Sequence, residues 1–134
     1  MNNNNPADVV NRYFQAVASG DVPTAVAMFS PDLVWHQPGN NRFSGSHHGP
    51  DGFGALIGGM MAVSEGSFTL TVTGPALVNG ELVAVPVHFS GKRAGASMDM
   101  DGIDLLRVRD GRIVEVFLFS GDGAAEDAFW GQAD

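Results

Sequence analysis

ASMDMDGIDLLRVRDGRIVEVFLFS, residues 96–120, decides the fold. Its side chains alternate with a period of two over residues 96–109 and again over 112–120, which is the repeat of a β-strand. Between the two halves, Asp110-Gly111 supplies the residue types favoured in a two-residue hairpin turn. Two long antiparallel strands joined by a tight turn follow. Period-two counting puts Met98, Met100, Asp104, Leu106 and Val108 on one face of the first strand, with Asp99, Asp101, Arg107 and Arg109 on the other. In the second strand Val114, Val116 and Leu118 share one face, and Phe117 and Phe119 the other.

The same period runs backwards through 82–91 (LVAVPVHFSG) and 68–73 (FTLTVT), with an Asn-Gly turn signal at Val78-Asn79-Gly80-Glu81. Four long strands in an antiparallel meander are the expected sheet. Strands of about twelve residues reach ~40 Å and do not stay flat, so the sheet must bend, and Gly102 and Pro86 are the natural sites for a bend or bulge. Both faces of the last strand are apolar while helices can cover only one. The outer face is therefore expected to pair with a second copy, giving a homodimer.

Upstream of the sheet the period changes to that of a helix. Val9, Val10, Tyr13, Phe14 and Val17 recur at helical spacing over 6–19, with Pro6 suited to the first turn and Gly20 to the stop. A shorter helix is predicted from Asp21 to Phe29, with Asp21 as N-cap and Pro23 in its first turn. LVWHQP (33–38) reads as a short strand ended by Pro38, and GNNRFSGSHHGP (39–50) as a loop. Phe53, Leu56, Ile57, Met60 and Met61 mark a third helix over 51–63, and the tail from Gly121 is expected to fold Phe129 and Trp130 back over the sheet. Helices first and long strands after imply an α+β fold, a curved antiparallel sheet with the helices in its concave face around a mainly apolar pocket.

The 134 residues suit one domain over 1–134, enough to bury roughly two thirds of the unfolded surface, with the Asn-rich residues 1–5 expected to fray. Of the residues, 44% are hydrophobic and 16% charged, which excludes a disordered chain. No apolar run approaches the ~20 residues that cross a bilayer. Net charge is −8, with 15 acidic residues against 7 scattered basic ones, a surface that repels nucleic-acid phosphates and anionic lipid. The start MNNNNPADVV lacks the pattern of a secretory leader, and the absence of Cys suits a reducing cytosol, so a cytoplasmic protein is expected.

Three features carry possible chemistry: Tyr13 in the first helix, the strand end Trp35-His36-Gln37-Pro38, and Asp104 within Ile103-Asp104-Leu105-Leu106. An Asp in a strand ordinarily faces solvent or pairs with an Arg. Here Arg107 and Arg109 fall on the opposite face, so Asp104 points into the pocket. A carboxyl buried without a cation stays protonated and becomes a hydrogen-bond donor to a ligand oxygen. His36 has a titration range suited to proton shuttling, but alternation places it opposite Trp35 and Gln37 unless the strand bulges before Pro38. His88 shares a face with Ala84 and Pro86, and its side relative to the pocket is open. His47 and His48 with His36 and His88 lack any metal-ligating spacing, so polar loop histidines are expected and no metal. No phosphate-binding glycine run is present, and Gly39, Gly45 and Gly49 allow a turn over the pocket entrance. Met60, Met61, Met98 and Met100 fit either a variable ligand or ordinary core packing.

Residues 9–35 (VVNRYFQAVASGDVPTAVAMFSPDLVW), 38–49 (PGNNRFSGSHHG) and 103–116 (IDLLRVRDGRIVEV) together resemble the nuclear-transport-factor-2-like superfamily in its ketosteroid-isomerase and SnoaL-like polyketide-cyclase branch. The resemblance covers nearly the whole chain and implies a cone-shaped, cystatin-like fold with an internal pocket. It is specific for fold and weak for reaction, since this scaffold hosts isomerases, cyclases, epoxide hydrolases, dehydratases and binding modules. It implies the ketosteroid-isomerase tyrosine at Tyr13 and the neutral oxyanion-hole aspartic acid at Asp104, whereas that family's basic aspartate falls on Gln37, an amide that accepts no proton. The cyclase aspartate falls on Leu118 and its histidine on Asp104; Asp122, near the pocket mouth, substitutes only if the strand end curls inward. An epoxide hydrolase wants two carboxylates and an arginine, and only Asp104 is placed inside.

The leading expectation is a cofactor-independent acid/base isomerase or polyketide-cyclase-like enzyme on a small apolar carbonyl or enol. Tyr13 and Asp104 hold the oxygen, His36 or Gln37 helps at the carbon, and Trp35, Phe53, His88, Met100 and Leu118 complete the binding surface. The alternatives are a noncatalytic module for a small hydrophobic molecule, an epoxide-hydrolase-like enzyme, and a dimerisation domain whose interior is filled.

Overall fold

The computed structural model describes residues 5–133. The first helix, α1 (Pro6–Ala18), begins where the Asn5 side chain accepts the N–H of Ala7 at 2.9 Å, so Asn5 is a cap and not part of a frayed end. The rest of the predicted frayed segment, residues 1–4, lies outside the described residues. α2 (Val22–Ala27) is capped by Asp21 and ends earlier than its pattern implied, because Phe29 already opens a strand. That strand, β1 (Phe29–Gln37), is followed by β2 (Gly45–His48), then α3 (Gly49–Val63), β3 (Thr69–Val72), β4 (Leu77–Asn79), β5 (Leu82–Arg93), β6 (Ala96–Arg109), β7 (Arg112–Ser120) and α4 (Gly123–Trp130).

The sheet is curved and unclosed, in the order β2-β1-β7-β6-β5-β3, with β4 paired to β5 beyond the end of β3. The hairpin read from residues 96–120 is present: Arg109 faces Arg112 across Asp110 and Gly111, both with positive φ, 54° and 77°. Three expectations need correction. The sheet is mixed, because β1 runs parallel to β7, with Trp35 opposite Val116 and His36 opposite Phe117. The segment 39–50 contains β2, a strand of Gly, Ser and His that exists through its pairing with β1. Only β5 and β6 reach twelve residues, and β3 has four.

The bulge also lies elsewhere. Pairing of β5 with β6 runs without a break through Pro86–Ile103 and Val87–Gly102. The register slips instead between Arg107 and Val108, where Arg107 faces Glu115 and Val108 faces Ile113, leaving Val114 as the extra residue. This slip moves Ile113 onto the inward face with Val116 and Leu118, the place expected for Val114. Gly102 serves close approach: a Cβ there would sit 2.5 Å from the Phe119 carbonyl oxygen and 3.0 Å from the Phe89 ring.

The core fills the concave side. Val9, Val10, Leu33, Val83, Val85, Leu106, Val116, Phe129 and Trp130 are essentially sealed from solvent, joining α1, β1, the meander and α4. α4 forms because Asp122 accepts the Ala125 N–H at its start and Gly131, at φ 72°, ends it. The tail thus folds back as its two aromatic residues require.

Candidate functional site

Between the helices and the concave face lies a cavity of about 390 Å³, within the size range of small-molecule sites. Its walls are mainly apolar and aromatic, with Phe14 from α1, Trp35 from β1, Phe53 and Met60 from α3, Phe89 from β5 and Leu118 from β7. Trp35 and Phe53 pack with ring centres 5.0 Å apart and Phe29 and Phe53 at 4.8 Å, so the aromatic wall is held by its own contacts. The interior is not packed shut, and Phe117 lies on the outer face stacked against His36 at 4.6 Å.

Polar side chains interrupt this lining, among them Tyr13, Gln37, Asp104 and Glu126, with Thr69, Thr71 and Ser120. Asp104 is 7% exposed, and neither its carboxyl nor the Tyr13 hydroxyl hydrogen-bonds to another described residue. Their polar atoms open on the cavity instead. Burial, reinforced by the charge of Glu126, pushes the Asp104 carboxyl up to about 7, so much of it carries its proton near neutral pH. Burial also raises the Tyr13 phenol, with Asp104 adding to the effect, and keeps it a donor. Gln37 is oriented by its neighbour two residues back: Trp35 Nε1–H donates to Gln37 Oε1 at 3.0 Å, which leaves the Gln37 amide hydrogens for another partner.

Glu126 enters from α4 and is 5% exposed. Trp130 Nε1–H donates to its Oε2 at 3.1 Å and the Ser120 hydroxyl donates to its Oε1. The helix carrying it is tied down by the loop before β2, where Asp127 accepts from the Asn40 backbone N–H and the Asn41 side chain, each at 2.8 Å. No Arg, Lys or His is among the described residues lining the cavity. Two carboxyl groups therefore share an apolar space without a cation.

The domain model described as the SnoaL-like domain matches residues 10–116. The chain belongs to the SnoaL-like family. Its fold is that of the nuclear-transport-factor-2-like superfamily. A cystatin-like protein of unknown function from Xanthomonas campestris superposes with a TM-score of 0.90 at 44% identity, covering 96% of this chain and 99% of that one. An uncharacterized Mycobacterium tuberculosis protein is 32% identical over 124 residues, 92% of this chain and 94% of its own. IdmH from Streptomyces antibioticus, described as a candidate polyketide cyclase, is 28% identical with a TM-score of 0.69, covering 87% and 91%.

In this SnoaL-like chain, Tyr13, Trp35, Gln37, Phe53, Asp104 and Leu118 all line the cavity. Three residues expected at the site do not. His36 faces outward because β1 continues its alternation to Gln37 without a bulge before Pro38; it pairs with Glu115 at 2.8 Å and stacks on Phe117. His88 also lies on the outer face, where its ring joins Asp101 at 2.8 Å and Asp99 at 2.5 Å, and these carboxylates raise its pKa, Asp101 foremost. Met100 is buried opposite Phe89 as core and does not reach the cavity wall. Asp122 caps α4 and does not curl inward. Glu126 is the ionisable lining residue that sequence reasoning missed, and Thr69, Thr71 and Ser120 are polar ones.

Proposed function

We propose that the cavity binds a small apolar molecule through a carbonyl or enol oxygen and promotes enolisation at the neighbouring carbon, as an isomerase or cyclase would. The observation that carries this is the presence of Asp104 and Tyr13 together, two buried groups with no hydrogen-bond partner among the described residues, on a mainly apolar cavity. Donors placed in this way stabilise charge that appears on the oxygen only as the C–H bond breaks, which lowers that barrier. The chemistry needs an acid and a base and consumes no cofactor. The family and the likeness to IdmH support the same class of reaction.

The test is deuterium uptake at the α-carbon of 2-tetralone in D2O, followed by proton NMR between pH 5 and 8. Uptake faster than in buffer, and lost together in Tyr13→Phe and Asp104→Leu, is the expected result. Tight binding of 2-naphthol without exchange favours the noncatalytic binding module instead. In that case Gln37→Asp, assayed on a 3-oxo-Δ5-steroid, asks whether only a base is missing.

The outer face supports a homodimer. Along β6 its outward residues read Asp99, Asp101, Ile103, Leu105, Arg107, Arg109, acidic at one end, apolar in the middle and basic at the other. Leu77, Ile103 and Phe119 are exposed there, Phe119 at 54%. A second copy related by a two-fold axis at Ile103–Leu105 covers the apolar centre and brings each acidic end beside the partner's arginines, which within their own chain pair with Glu81 and Glu115.

A further inference from the structure

We infer that Glu126 is the general base of this cavity, taking a proton from the carbon beside the oxygen that Asp104 and Tyr13 hold. The inference rests on the enolisation reading above and names the group that reading lacks, because Gln37 is an amide and His36 and His88 lie on the far side of the sheet.

Four observations carry it. Glu126 is a buried acid that lines the cavity, and no cation shares that wall among the described residues. Trp130 and Ser120 each donate to one of its oxygens, which fixes the carboxyl group, while each oxygen keeps a second lone pair for an incoming proton. Its helix is anchored through Asp127 to Asn40 and Asn41, so the carboxylate is held by a rigid element. Asp104 lines the same cavity, and there burial first and Glu126 second raise the pKa of its carboxyl, so a proton-holding acid stands beside Glu126. A carbonyl oxygen and its α-carbon are separated by one atom, so an acid for the first and a base for the second belong close together.

The step balances without a co-reactant. The α C–H bond breaks and its proton moves to a Glu126 oxygen. The C–H electron pair becomes the C=C bond of the enolate, and the negative charge on oxygen is held by the Asp104 and Tyr13 hydroxyl groups. Protonated Glu126 then returns the proton to the same carbon or to the far end of a conjugated system, the second outcome being an isomerisation.

The experiment compares the intact protein with Glu126→Gln and Glu126→Asp, using 2-tetralone deuterium uptake for the reaction and 2-naphthol fluorescence titration for the state of the cavity. Gln satisfies both partners, accepting from Trp130 and donating to the Ser120 oxygen, so Glu126→Gln is expected to bind 2-naphthol within about threefold of the parent. Its exchange rate is expected to fall by about 10² or more. Glu126→Asp keeps a base drawn back by one methylene and is expected to exchange at an intermediate rate. Exchange at the parent rate in Glu126→Gln places the base elsewhere and leaves the enolisation reading standing. If Glu126→Gln no longer binds 2-naphthol, the Asp variant decides: full-rate exchange in it overturns the assignment. A parent protein that binds 2-naphthol and exchanges nothing sinks the enolisation reading, and the base with it.

Discussion

Asp104 ties stability to pH. Its carboxyl ionises in water near 3.8 and in the folded chain at about 7. Below pH ~4 both states hold the proton. Between these values the folded chain binds more protons than the unfolded one, so stability falls as pH rises, and above 7 the loss approaches about 4 kcal/mol. Asp104→Asn removes this slope. Its melting temperature relative to the parent is expected to be higher at pH 8 than at pH 5; parallel curves for the two proteins would show that Asp104 is not held protonated by the fold. The position of Asp104 was legible from period-two counting, because β6 keeps its alternation from Met98 to Val108. Glu126 was not read, although a signal existed: it lies three and four residues before Phe129 and Trp130 and so shares their buried helical face. An eight-residue terminal helix with one Gly and three Ala gives little pattern on which to see that face.

The element that sets the site is α4 together with the loop packed on it. Asp127 accepts two hydrogen bonds from that loop, and Phe43 packs edge-on against Trp130 at 5.2 Å. Asp127→Ala is expected to cost about 1–3 kcal/mol in a denaturant titration by leaving the Asn41 amide and the Asn40 N–H without their partner. It should also slow 2-tetralone exchange more than it weakens 2-naphthol, since it frees the helix bearing Glu126 and leaves the Asp104 side intact. His36→Ala makes the opposite control: a residue on the outer face should change both readouts by less than about twofold. The helices and the long hairpin were readable because their periodicity is strong and local. β2 and the parallel β1–β7 pairing were not, because a Gly-Ser-His-His strand has no pattern of its own and a partner strand 81 residues away, as Trp35 is from Val116, leaves no local trace. The slip at Val114 escaped for the same reason, since a bulge is set by the facing strand.

At the scale of the molecule, one curved sheet serves two surfaces. Its concave side holds the core and the cavity; its convex side carries the acidic-apolar-basic order of β6. Ile103→Asp places a charge at the centre of the proposed dimer contact and is expected to give a monomer by light scattering with 2-naphthol affinity unchanged. A parent protein that is already monomeric at 100 µM would remove the homodimer. No described helix is long and apolar enough to cross a membrane. The cavity itself follows from the concave face, which the helices line without filling. Its claim to an oxygen ligand rests on a protonated Asp104. That claim is tested most directly by the 2-naphthol dissociation constant from pH 5 to 9, measured on the parent and on Asp104→Asn. The parent should bind tightly at low pH and lose affinity through about pH 7 as Asp104 ionises, while the Asn variant, always a donor, stays flat over the same range. The same pH dependence in both proteins, or no binding in either, would contradict it.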